Sequence, residues 1–193
     1  MSSEKMRENF QIRVFNFLKK NKIFFITLLT ATLIGIFAFL VYKNMQIKKN
    51  IKIAQQYTQA SILLNQKKIK ESELLLESII EKNHKFYSPL ALYLLIESNI
   101  ENDTSKIISY FDIVLKNKSI DKENLNLIKI KKAIYLFDSQ NEKLIIETLN
   151  PIINSNSVWK KMAIDLISDY FLSLGQKVKA EEYIQLLNIQ SNK

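Results

Sequence analysis

Val158–Leu187, VWKKMAIDLISDYFLSLGQKVKAEEYIQLL, reads as two amphipathic helices with a stop between them. Ile164, Ile167, Ser168 and Phe171 recur at three- and four-residue spacing and so share one helix face. Gly175 stands where a helix ends in a left-handed residue, and Ala180, Ile184 and Leu187 resume the spacing beyond it. The order is large, large, small, aromatic, Gly, small, large, with Leu187 as a further packing residue. A small residue on each helix lets the two backbones of a hairpin approach, and the large ones fill the groove against the next hairpin.

Working outward, positions equivalent to Ala180 fall at Ser72, Ile107 and Ile145, at intervals of 35, 38 and 35 residues. The small position of each first helix is Ala60, Leu95, Ala133 and Ser168. This is the tetratricopeptide order, whose repeat is about 34 residues; the second repeat departs from it at both Leu95 and Ile107. Gly and Pro are scarce and no stretch keeps a strand's alternation, so the expected fold class is all-α. The predicted helices are Gln46–Leu64, Ile69–Glu81, Leu90–Ile100, Lys106–Leu115, Glu123–Asp138, Glu142–Ile153, Val158–Leu174 and Val178–Leu187. Ser88 before Pro89, Asp103, Asp121 and Ser157 are the expected caps. The expected architecture is a single N-terminal transmembrane helix followed by a solenoid of four hairpins over 43–193.

The anchor is Ile23–Tyr42, IFFITLLTATLIGIFAFLVY, twenty residues without a charge. At about 1.5 Å of rise each they match the roughly 30 Å hydrocarbon core of a bilayer. Lys19, Lys20 and Lys22 bound it on one side and Lys43, Lys48, Lys49 and Lys52 on the other. The basic tail 1–22 places Phe10, Val14, Phe17 and Leu18 at helical spacing, as in an amphipathic helix on a membrane surface; a disordered tail is the alternative. With no small-residue cleavage site after the apolar run, an uncleaved signal anchor is expected. Six Lys/Arg precede the span and four follow it closely, which favours an N-terminus in the cytoplasm and the domain across the membrane.

Charge placement disposes of one function class. The net charge is +9, but ten Lys/Arg and two Glu lie in 1–52, leaving 18 basic and 17 acidic residues for the rest. The excess belongs to the membrane flanks, where anionic lipid attracts it, and nucleic acid is not an expected partner. Lysine outnumbers arginine 26 to 2 in a chain also rich in Ile and Asn, a bias attributed to AT-rich codons and given no functional weight. Cysteine is absent and His84 is the only histidine, so thiolate sites and Cys nucleophiles are excluded and a metal site would rest on carboxylates. His84 reads as a loop residue. No phosphate-binding glycine loop occurs, and the expectation is a protein that is not an enzyme and holds no cofactor and no metal.

The layout of basic tail, single span and helical hairpins resembles the ancillary SecYEG translocon subunit family, whose tetratricopeptide-like domain is related to that of cell division coordinator proteins. The likeness rests on Leu127–Asp138 and on Val158–Leu187, with Trp159, Ala163, Gly175 and Ala180 its clearest points. It implies a single-pass protein of the bacterial inner membrane with a periplasmic domain. It also implies the translocon, a periplasmic folding factor and client polypeptides as partners. The expected activity is binding, with a docking receptor facing the cytoplasm, or a scaffold of the cell envelope, as the alternative. Tyr57, Leu64, Ile130, Ile134, Phe137 and Leu172 are the expected client-binding residues on the concave side. Thr27, Ala31 and Gly35 recur every four residues and form an expected packing face of the membrane helix.

Overall fold

The computed structural model describes residues 12, 13, 15–17, 19–137 and 141–188. Among them every regular element is a helix. Eight are fully bounded: α1 (Lys22–Asn65), α2 (Ile69–Glu81), α3 (Tyr87–Glu97), α4 (Thr104–Leu115), α5 (Lys122–Leu136), α6 (Glu142–Ile153), α7 (Lys160–Ser173) and α8 (Lys177–Asn188). The chain separates into two compact units that meet at Lys52 and Ile53. Of the expected amphipathic positions in the tail only Phe17 lies among the described residues, and it is exposed; Phe10, Val14 and Leu18 lie outside them.

In the first unit α1 contains the apolar run, long and apolar enough to cross a membrane, and none of it is buried by protein. The hydroxyls of Thr27, Thr30 and Thr32 donate to carbonyls of Phe24, Thr27 and Leu28, three or four residues back, at 2.8–2.9 Å. Each threonine hydroxyl in the run is thereby satisfied within its own helix. The helix does not pause after Tyr42: α1 is one element of 44 residues.

The second unit buries two apolar clusters. One gathers Ala60, Leu76, Leu92, Leu95, Ile107, Phe111 and Ile128, the other Ile130, Ala133, Leu149, Ile164, Phe171 and Ala180; α5 contributes to both. Each helix from α2 to α8 packs on its successor, and α2 also meets α4 as α5 meets α7. All eight positions of the sequence register are buried: Ala60, Ser72, Leu95, Ile107, Ala133, Ile145 and Ala180 are fully inaccessible and Ser168 is 2% exposed. Ser72 shows why small residues stand there, since its hydroxyl donates to the carbonyl of Ala60 on the facing helix at 2.9 Å.

The hairpins α3/α4, α5/α6 and α7/α8 differ in how closely they pair. Contact is most extensive in α7/α8, where Ser168 and Ala180 are both small. It is less in α5/α6, with Ala133 opposite Ile145, and least in α3/α4, where Leu95 meets Ile107. Helix separation follows the side chains at the crossing, and contact falls here as those side chains grow.

Helix ends repay inspection. Asp103 accepts from Ser105 and Lys106 N–H groups at 2.8 and 3.3 Å, and Asp121 from Asn124 N–H at 3.0 Å, as expected of N-caps. Gly175 has φ +73°, and Gln176 N–H donates to Phe171 while Gly175 N–H donates to Leu172, a Schellman ending. The first helices α1 and α3 end the same way without glycine, on Lys67 (φ +61°) and Asn99 (φ +48°). Two starts differ from expectation. Helix α3 begins at Tyr87, so Ser88 lies inside its first turn and Pro89 takes the third position, where no intrahelical N–H bond is lost. His84 supplies the cap instead, its Nδ1 accepting from Phe86 and Tyr87 N–H groups at 3.2 Å. Helix α7 begins at Lys160, because Ser157 is engaged with Glu123 and opens a turn through Trp159.

Two loops are tied to positions 34 residues away along the chain. The Asn117 side-chain amide donates to the carbonyl of Asn83, 34 residues earlier. Ser157 donates to Glu123 Oε2 at 2.6 Å, again 34 residues away, and accepts from Asn126 Nδ2 at 3.0 Å.

Candidate functional site

The helices α3 and α5 run side by side without packing as α5 and α7 do, and a groove of 530 Å³ opens between them. Its walls are Tyr93, Ile96 and Glu97 of α3 and Lys131, Ile134 and Tyr135 of α5; Phe111 of α4 reaches it from below. A second hollow of 420 Å³ continues past Tyr93 along the N-terminal halves of the same helices, lined by Phe86, Leu90 and Leu127 among others. The two wall triplets occupy the same register positions. Each lies two before, one after and two after the small position, Leu95 in α3 and Ala133 in α5.

Electrostatics in the groove are set by burial. The Tyr93 phenol is pushed up to about 12 because its surroundings penalise the charged form. The Lys131 ammonium rests 4.5 Å from the Tyr93 ring centroid, a cation–π contact. The Phe111 and Tyr135 rings are 6.2 Å apart, so the Tyr135 wall is backed by a ring that is itself buried in the first cluster. Neighbouring Tyr57 has its phenol raised, first by burial and then by the Glu97 carboxylate.

Of the six residues expected to face a client, the structure brings only Ile134 into this groove, 53% exposed. Ile130 is corrected outright: it is 1% exposed and belongs to the second core cluster. Tyr57 is half-buried against the first cluster with its ring 5.9 Å from Tyr87, and Phe137 packs edge-on against Tyr170 at 5.3 Å. Leu64 is half-buried, and Leu172 is exposed but away from the groove. The expected positions were three before, one after and four after the small residue; the groove uses two before, one after and two after. The two sets differ by roughly a quarter turn of helix, which carries the first set toward the neighbouring hairpin. Tyr93, Glu97, Lys131 and Tyr135 were therefore missed, although the spacing of the repeats contained them.

Two other sites bear on chemistry. Glu73, Glu77 and Glu101 bring carboxylate oxygens within 4.8 Å of one another, a set that could hold a cation. Lys106 already supplies one: its Nζ lies 2.6 Å from both Glu77 Oε1 and Glu101 Oε2. Hydrogen bonds to Glu101 and Glu77 hold that ammonium well above the usual lysine range. His84 has its pKa lowered, first by burial and then by Lys85, which suits a ring nitrogen that accepts from backbone. Thr27, Ala31 and Gly35 form an exposed stripe of α1, and a side chain at Gly35 would meet open space.

Compared with models of protein families, with curated proteins and with solved structures, the chain matches none.

Proposed function

We propose that this chain is a membrane-anchored protein-interaction module: a single-pass span followed by a tetratricopeptide-like solenoid of four hairpins that holds segments of other proteins. The observation that carries the reading is the groove built from the same three register positions of two successive first helices. Stacked hairpins generate such a surface wherever neighbouring first helices stay apart. Binding, and not turnover, is the activity, and no cofactor enters it.

The charge count around the span and the resemblance to ancillary translocon subunits support a bacterial inner-membrane protein with its N-terminus in the cytoplasm and its domain in the periplasm. On that reading the partners are the translocon, a periplasmic folding factor and client polypeptides. The test exploits a chain without cysteine. A photocrosslinking residue at Ile134 is expected to capture protein, and one at exposed Val178 is not. Equal capture at both positions, or at neither, would discard the groove as the working surface. Alkaline phosphatase fused after residue 193 should be active, whereas a fluorescent but phosphatase-negative pair of fusions would place the domain in the cytoplasm, as a docking receptor.

A further inference from the structure

The groove between α3 and α5 carries one charge on each wall, Glu97 on α3 and Lys131 on α5. Among the described residues neither belongs to an ion pair within 4.0 Å. Lysines held in place elsewhere in the domain do: Lys106, Lys132 and Lys179 each have a carboxylate within 2.9 Å. Unpaired lysines are ordinary on an open surface, but these two charges stand on facing walls of a concave groove that Tyr93 and Tyr135 also line. There a partner's charge loses water and gains more from a counter-charge than it would on a flat face.

Resting on the reading of the domain as an interaction module, we propose that this groove takes an amphipathic segment of another protein that is itself zwitterionic. A basic side chain of the segment meets Glu97, an acidic one meets Lys131, and an apolar residue between them packs on Tyr93, Ile134 and Tyr135. As the Lys131 ammonium swings to the incoming carboxylate it leaves the Tyr93 ring, uncovering an aromatic face for that apolar residue. Uniformly anionic partners such as a lipid surface or nucleic acid are repelled by Glu97, and uniformly basic segments by Lys131. The groove flanks the hairpin whose crossing carries two large residues, Leu95 and Ile107, where α7/α8 has Ser168 and Ala180.

The test uses the full chain in nanodiscs and four labelled helical peptides with one common Leu-Phe centre. They differ only in the flanking charges: Lys then Glu, Glu then Lys, two Lys, or two Glu. One of the mixed-charge peptides is expected to bind about tenfold more tightly than either single-sign peptide, the factor that one desolvated charge contact supplies. The E97K/K131E exchange should transfer the preference to the opposite order, and Glu97→Gln or Lys131→Gln alone should each remove part of it. Equal binding of all four peptides, a preference for a single-sign peptide, or no binding by any would overturn the proposal. So would a preference indifferent to the exchange. If capture of protein at Ile134 persists unchanged in the exchanged chain, the interaction module stands and only the charge assignment falls.

Discussion

The seam between α3 and α5 and the seam between α5 and α7 are built from the same register positions and come out differently. At the second, Tyr170 and Leu166 stand where α5 has Tyr135 and Lys131. Tyr170 is 2% exposed, with Phe137 5.3 Å and Phe171 5.6 Å from its ring, and α5 and α7 pack directly. At the first, the Lys131 ammonium rests on the Tyr93 ring and a groove opens beside them, with Glu97 and Ile134 on its two walls. The difference traces to the crossings behind them. Ser168 and Ala180 set two small residues where α7 meets α8, whereas two large ones, Leu95 and Ile107, stand where α3 meets α4 and contact is less extensive.

The largest loss of stability is expected at the closed seam. Tyr170→Ala should lower unfolding free energy by about 3–5 kcal/mol, the usual cost of removing a buried aromatic ring, whereas Tyr170→Phe should cost under about 1.5 kcal/mol. Urea denaturation of the full chain in nanodiscs, followed by the fluorescence of Trp159, measures both; matching losses would mean that the ring does not hold the seam shut.

Leu95→Ala tests the open seam and should cost about 2–3 kcal/mol, at the low end for a core leucine because the site can collapse. That collapse is the informative part. Spin labels at Leu90→Cys and Asn124→Cys, on the two walls, should move closer by about 1 Å, the scale on which side-chain size alters helix separation. An unchanged distance with the expected loss of stability would show that Leu95 does not prop the groove open.

The smallest effect concerns the helix ends that frame both seams. Lys67→Gly should raise stability by about 0.5–1 kcal/mol, since the left-handed backbone at φ +61° costs any residue with a Cβ. A thermal scan showing no gain would mean that the lysine side chain offsets its strain by contacts of its own.

Much of this architecture was legible before any coordinates. The register placed eight residues at crossings and all are buried; the bounds Ile69–Glu81 and Glu142–Ile153 agree with the observed helices. Asp103, Asp121 and Gly175 announced themselves because each acts through a short-range hydrogen bond or a backbone preference. The start of α3 was not legible, because a histidine ring does the work of a serine there and Ser88 instead donates to the carbonyl of Ile79 at 2.6 Å. The groove lies a quarter turn from the face expected to meet a client, for a different reason. Periodicity gives the angle between residues on one helix, but which side a neighbouring helix covers depends on how far hairpins splay, and that is decided by volumes at Leu95 and Ile107 on two different helices.

The endings of α1, α3 and α7 have a consequence for how such a chain evolves. Three helices close with one backbone gesture on a lysine, an asparagine and a glycine, in a chain that has only two glycines. The shape is specified by carbonyls and amides, which every residue but proline possesses, and only its cost varies with the letter. Under a mutational bias that erodes glycine codons, the letters drift at the price of about 1 kcal/mol apiece while the bends stay in place. The inheritance that such a lineage preserves is then a rhythm of stops, audible in the backbone after the alphabet has changed.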